Sequence, residues 1–160
     1  MQTKIETYAL TVAVIACEIM VLAGIVDLDS VAVDGAKPTY ARLTYSFFHA
    51  SFLHTAANLW VLWSFVRTYK TQRWEMAVAW LIAVTIPPIV MPKPTVGLSA
   101  FLFALFGITA YKVVRKSIYL AFLAVVAAVG FALPNTAATV HAYCLAAGLV
   151  VAVLNTPYER

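Results

Sequence analysis

Val96-Gly97-Leu98-Ser99-Ala100 stands where a proline-rich loop, Met91-Pro92-Lys93-Pro94-Thr95, gives way to an apolar helix. From Leu98 to Tyr111 the apolar run is about 14 residues, or ~21 Å of helix at ~1.5 Å per residue. The hydrocarbon core of a bilayer is ~30 Å thick. If the basic end of this run, Lys112 to Lys116, sits at one membrane surface, Ser99 starts well below the other. Irregular backbone at that depth survives only when it is buried in protein or lines a water-filled cavity. The spacing therefore predicts a hydroxyl at the floor of a wet cavity inside the membrane. A serine that merely caps its helix is the alternative.

Composition supports a membrane setting. Of 160 residues 63% are hydrophobic and 11% charged, and the mean hydropathy is +0.88. Those values exclude an ordinary soluble domain and predict one compact polytopic membrane domain over residues 1–160. The net charge of +4 reads as topology information. No basic face with interleaved aromatics lies outside the apolar segments, so nucleic acid is not an expected partner. Cys17 and Cys144 lie in separate apolar segments, which argues against a disulfide framework. The sequence calls for no cofactor and no metal.

Six apolar segments are expected as helical spans, giving an all-α fold. They cover about residues 8–26, 47–65, 76–91, 98–111, 118–133 and 137–154. The first is long for a signal peptide and more spans follow it, so it reads as an uncleaved span. The first loop holds Asp27, Asp29, Asp34, Gly35 and Pro38. Pro87-Pro88 marks a kink or the end of span three, and Pro134-Asn135-Thr136 a tight turn. Asn155-Thr156-Pro157 ends span six. Arg67, Lys70 and Arg73 follow span two; Lys112, Arg115 and Lys116 follow span four. With six spans these basic loops share a side with both termini, and the acidic first loop faces the other side. The positive-inside rule then makes the termini cytoplasmic, as for a multi-pass protein of a prokaryotic plasma membrane.

The same topology sorts polar residues by depth. Ser99, His54 and His141 all fall in the outer halves of their spans. Serine needs an adjacent base to act as a nucleophile, and His141 is the candidate. Small residues on both helices, Ala100, Ala104 and Gly107 against Cys144 and Gly148, would let the backbones approach closely. Phe103 could stack on the imidazole or pack elsewhere. His54 and Asn58, at i and i+4, share one helix face and can each donate a hydrogen bond. The Ser99 amide, at a helix start, is a third donor toward a developing oxyanion. His49 lies near the outer surface. Read singly, each polar residue is equally a tie between two helices. Glu18, mid-span, reads as a carboxylate tied to a neighbouring helix, although no partner is evident.

The combination His49-Ala-Ser-Phe-Leu-His54-Thr-Ala-Ala-Asn58, then Gly97-Leu-Ser99, then His141 with Gly148 seven residues on, resembles the rhomboid intramembrane serine proteases. The resemblance covers all six spans in order. It implies a rhomboid-like six-helix bundle whose fourth span begins inside the membrane. It implies a catalytic dyad of Ser99 and His141, with His54, Asn58 and the Ser99 amide in the oxyanion hole. Gly97, Phe103 and His49 are supporting residues. The implied substrates are transmembrane helices, cut near their outer ends within the lipid bilayer. Several positions depart from the family pattern. Ala100 and Cys144 stand where glycine is usual, and Phe103 where tyrosine is common. Tyr40-Ala41-Arg42 only approximates the first-loop Trp-Arg pair, and Lys70 replaces a glutamate late in span two. Two other readings remain: a catalytically weak or inactive rhomboid-like protein that binds membrane helices, and a small channel. Few ionisable residues line the spans for the latter.

Overall fold

The computed structural model describes residues 3–34, 39–134 and 136–155. Gly35, Pro38, Asn135, Thr156 and Pro157, assigned above to loops and turns, lie outside these residues. Each of the six apolar segments is helical: α1 (Lys4–Leu22), α4 (Phe52–Tyr69), α5 (Arg73–Val84), α6 (Ser99–Thr109), α7 (Lys116–Ala132) and α8 (Ala138–Asn155). Two short helices, α2 (Leu28–Val31) and α3 (Thr39–Thr44), lie in the first loop. Among the described residues no strand forms; a single antiparallel bridge joins Val33 to Thr95. Two of the helices, α1 and α8, are by themselves long and apolar enough to cross a membrane.

The boundaries shift from the sequence reading for local reasons. Helix α1 starts at Lys4 and ends at Leu22, because Gly24 turns the chain at φ 69°, a conformation open to glycine. Helix α4 starts at Phe52, not Phe47. Residues Tyr45–Phe47 form a tighter 3₁₀ turn, and the Ser51 hydroxyl caps the helix by accepting from the His54 amide at 3.2 Å. Helix α5 stops at Val84, well before Pro87-Pro88, and Pro88–Val90 form another 3₁₀ turn.

Pairwise contacts give each helix a direction. Glu18 meets Thr55, Thr11 meets Trp63 and Thr3 meets Thr71, so α1 and α4 are antiparallel. Lys112, just past α6, meets Glu75 at the start of α5, and Trp74 packs on Tyr111 at 5.9 Å. Those two helices are therefore also antiparallel. His54 lies against Gly97, and Phe65 packs on Phe106 at 4.9 Å, which makes α4 and α6 parallel. Ser99 meets His141 and Gly107 meets Gly148, so α8 is parallel to both. Tyr119, early in α7, donates to the Phe106 carbonyl at 2.7 Å and faces Tyr69, which sends α7 back the other way. Direction thus alternates through all six helices.

Helix α6 is the centre. Ala100, Phe101, Leu102, Ala104, Leu105, Gly107, Ile108 and Thr109 are all buried. Its tightest neighbour is α8. A Cβ on Gly148 would collide with the Ala104 carbonyl and stand 2.9 Å from the Ile108 amide and 3.0 Å from Gly107 Cα. Such backbone-to-backbone contact is how helices pack where no hydrophobic effect separates protein from solvent. Helix α7 is the loosest: only Tyr119 and Leu123 are buried, both in its first half.

Candidate active site

The loop before Ser99 is held from three sides. The Gly97 amide donates to the Tyr45 carbonyl at 3.0 Å. The Leu98 amide donates to His49 Nε2 at 3.2 Å. Thr95 and Val33 exchange hydrogen bonds at 2.8 and 2.9 Å. Gly97 sits at φ 116°, which a side chain rarely adopts. A Cβ there would also stand 2.8 Å from His54 Cε1 and 3.1 Å from His54 Nε2. Glycine at this position therefore serves two ends: it permits the backbone angle and leaves room for an imidazole beside the serine.

Ser99 is the first residue of α6, so its amide is one of those a helix leaves without a carbonyl of its own. Its Oγ is 2.8 Å from His141 Nε2. His141 occupies the first turn of α8, which is pinned nearby by the Thr139 hydroxyl on the Val90 carbonyl at 2.9 Å. The Phe103 ring lies flat on the imidazole, with centroids 4.4 Å apart and planes 1° from parallel. Phe103 itself stands one helical turn after Ser99 on α6, so one helix supplies both the hydroxyl and the ring that orients its partner.

Ser99, His141 and His54 together line a cavity of about 520 Å³. Ala50, Lys93, Thr95, Val96, Thr136 and Ala137 complete most of its wall. Among the described lining residues none is acidic, and Lys93 is the one cation.

Asn58 is placed differently from His54. It is buried one turn further along α4 and is not part of the cavity wall, and its amide Nδ2 has no hydrogen-bond partner. A buried, unpaired donor costs free energy and is uncommon in folded proteins. His49 is fully buried within the protein, and its imidazole packs edge-on against His54 at 4.9 Å. It braces the serine loop rather than lining the cavity.

The Glu18 carboxylate, expected to tie two helices, has its partner in Thr55, which donates to it at 2.9 Å and stands directly beside His54 in sequence. Other residues play parts that the sequence did not mark. Tyr45 is completely buried and its hydroxyl donates to the Ala83 carbonyl at 2.8 Å. Arg42 donates to the Ile86 carbonyl, fastening the first loop to the end of α5. At the far end of the bundle Glu75 is fully buried, and it accepts from Lys112 at 2.7 Å and from the Gln72 amide at 2.6 Å. The signal for Glu75 was present as Gln72-x-x-Glu75, a helix-start pattern in which the third residue reaches back. The signal for Tyr45 was not, because nothing in an apolar stretch marks which hydroxyl will find a carbonyl.

The two glycine replacements are absorbed by packing. Ala100 and Cys144 are both buried, and the Ser99 to His141 distance remains that of an ordinary hydrogen bond. Comparison with curated proteins finds no match for this chain. The family profile of the Rhomboid domain matches residues 37–156, which takes in every helix from α3 to α8. That match spans well over half of the sequence, and the chain belongs to the rhomboid family.

Proposed function

We propose that this chain is an intramembrane serine protease that hydrolyses peptide bonds in or near the transmembrane helices of other membrane proteins. The rhomboid family generally consists of such proteases. The observation that carries the reading here is the 2.8 Å contact between Ser99 Oγ and His141 Nε2 at the floor of a cavity.

In this reading Ser99 Oγ attacks the scissile carbonyl carbon while His141 Nε2 takes the hydroxyl proton. The carbonyl oxygen becomes an oxyanion. His54 and the Ser99 amide are in place to donate to it, and the unpaired Asn58 amide is the third donor, reached by a modest side-chain movement. Collapse of the intermediate breaks the peptide C–N bond, and His141 returns the proton to the leaving amine. Water then enters the cavity, loses a proton to His141 and attacks the acyl carbon. Release of Ser99 Oγ restores the hydroxyl and leaves a carboxylate product. Phe103 orients the imidazole by stacking, where soluble serine proteases use a carboxylate.

All six helices cross the bilayer in this proposal, as one domain. The alternation of direction supports it, since each crossing must reverse the last. The basic residues at the Lys112 end then place both termini in the cytoplasm. Substrate helices reach Ser99 from the lipid, between α4 and α7. The sparse burial of α7 beyond Leu123 supports that route.

Labelling with a fluorophosphonate, which reacts with an activated serine, tests the reading. The wild-type chain is expected to label and to cut a transmembrane model substrate. Ser99→Ala is expected to do neither while keeping its fold. Undiminished cleavage by Ser99→Ala would end the protease reading.

A further inference from the structure

The end of the bundle opposite Ser99 carries a second cavity, of about 460 Å³, between the start of α1 and the end of α4. Lys4, Arg67 and Lys70 stand around it and are exposed. Among the described residues none of these three cations has a carboxylate partner. Two carboxylates at this end each hold another cation through one oxygen, Glu6 Oε1 with Arg73 and Glu75 Oε2 with Lys112, and their other oxygens, Glu6 Oε2 and Glu75 Oε1, are buried without a partner. Thr71 also lines the cavity. It is only 1% exposed, its carbonyl accepts from the Thr3 hydroxyl at 3.1 Å, and its own hydroxyl has no partner. Three cations without an anion, converging with a buried donor without an acceptor, describe a site for negatively charged oxygen atoms.

The surroundings specify where those oxygens come from. Tyr8 and Trp63 form one wall, in edge-to-face contact at 4.7 Å, and the Trp63 indole donates to the Thr11 hydroxyl at 3.0 Å. Amphipathic rings of this kind settle at the headgroup level of a bilayer. Above them α1 exposes Val12, Ile15 and Ile19, an apolar track leading away from the cations toward the middle of the membrane. A free phosphate would use the cations and leave the track idle. A lipid would use both.

We propose that this cavity holds the phosphate headgroup of an anionic phospholipid, with its acyl chains along α1. Basic pockets between helices on the cytoplasmic side are suited to such headgroups. The site is separate from Ser99 and does not depend on the chain being a protease.

The test uses the full chain, purified in a neutral detergent and titrated with phosphatidylglycerol or phosphatidylcholine. Retained lipid is counted by native mass spectrometry, and the unfolding midpoint is followed in parallel. One phosphatidylglycerol is expected to be held and to raise the midpoint, and phosphatidylcholine to do neither. Each cation near an anionic surface is worth about fivefold, so the triple variant Lys4→Gln/Arg67→Gln/Lys70→Asn should weaken retention roughly a hundredfold. Asparagine suits position 70, because Lys70 is left-handed at φ 48°. Arg67→Gln alone should weaken retention about fivefold, which keeps the test intact if the triple variant folds poorly. Equal retention of the two lipids, or full retention by the variants, would overturn the proposal. So would loss of the lipid in Ser99→Ala, or a midpoint rise with inorganic phosphate as large as that with phosphatidylglycerol.

Discussion

Replacing Gly148 with alanine adds one methyl group, and the structure says where it must go. The new Cβ would stand 2.9 Å from the Ile108 amide and 3.0 Å from Gly107 Cα, and closer still to the Ala104 carbonyl. All three are backbone atoms of α6, so no side chain can rotate away. Ordinary carbon contacts need about 3.5 Å or more, and clearing the Ala104 carbonyl requires the two helices to separate by roughly an ångström or more. Overpacking of this kind typically costs ~1–3 kcal/mol. The consequence for chemistry follows from the lever arm. His141 lies two turns from Gly148 on the same helix, and Ser99 lies about two turns from Gly107 on the other. A separation at the glycine pair is therefore passed to the 2.8 Å Ser99–His141 contact. Lengthening it past ~3.5 Å removes the hydrogen bond, and a displacement near 1 Å can cost on the order of 100-fold in rate. Gly148→Ala should thus lose about 10-fold to 100-fold in kcat/KM on a transmembrane model substrate and unfold at a lower temperature, and Gly148→Leu should be worse on both counts. Fluorophosphonate labelling rates measured beside thermal midpoints separate the two effects. If Gly148→Ala kept wild-type labelling and stability, the close pairing of α6 and α8 would not be what positions the dyad.

Gly97→Ala should be destabilised by about 1–3 kcal/mol, since alanine must adopt φ 116° and crowd His54, and its labelling rate should fall; an unchanged rate would show that the serine loop tolerates a different path. His54→Ala or Asn58→Ala should each lower kcat roughly 10-fold to 1000-fold with a smaller change in KM, as expected for donors used mainly in the transition state. Full activity in both would move the oxyanion donors elsewhere. Cross-linking cysteines placed at Leu53 and Phe131, in a Cys17→Ala background, should block cleavage of a transmembrane substrate while leaving fluorophosphonate labelling intact. Cleavage that continued unchanged would mean that substrates do not pass between α4 and α7.

The candidate site was readable because its members carry chemistry that an apolar helix otherwise avoids. A serine at the start of a short helix, two histidines and an asparagine at helical spacing are conspicuous against leucine and valine. What escaped was anything settled by partner choice. Glu18 looked unpartnered because threonine is so common in these helices that Thr55 does not stand out. Glu75 and Lys112 are 37 residues apart, and only the antiparallel packing of α5 on α6 reveals them as a pair. Helix ends were misjudged wherever a cap or a proline outweighed hydropathy, as at Ser51 and before Pro87.

The distribution of order in the bundle bears on how such a site could admit a helix and still hold its geometry. Ser99, His141 and His54 come from α6, α8 and α4, three parallel helices of which α6 and α8 meet backbone against backbone. Geometry built on rigid elements survives the approach of a large substrate. Helix α7 has its fully buried residues, Tyr119 and Leu123, near its beginning; further along, Ala127 packs partly on the core and the Gly130 carbonyl accepts from the Thr136 hydroxyl, while Val125, Val129 and Phe131 are exposed. A helix held mainly at one end can tilt without disturbing the other three. In the proposed six-span topology the exposed valines and phenylalanine of α7 face lipid, and that tilt is inexpensive because the displaced contacts are with acyl chains of similar polarity. In the proposed reaction, unwinding a substrate beside Ser99 exposes its amides within the bilayer, where unsatisfied groups cost several kcal/mol each. The cavity lined by His54, Thr95 and Thr136 supplies polar partners there. In that reading a tighter α7 would exclude the substrate, and a looser α8 would separate Ser99 from His141. The small residues concentrated on α6 and α8, set against the bulky exposed face of α7, divide the two tasks between different helices.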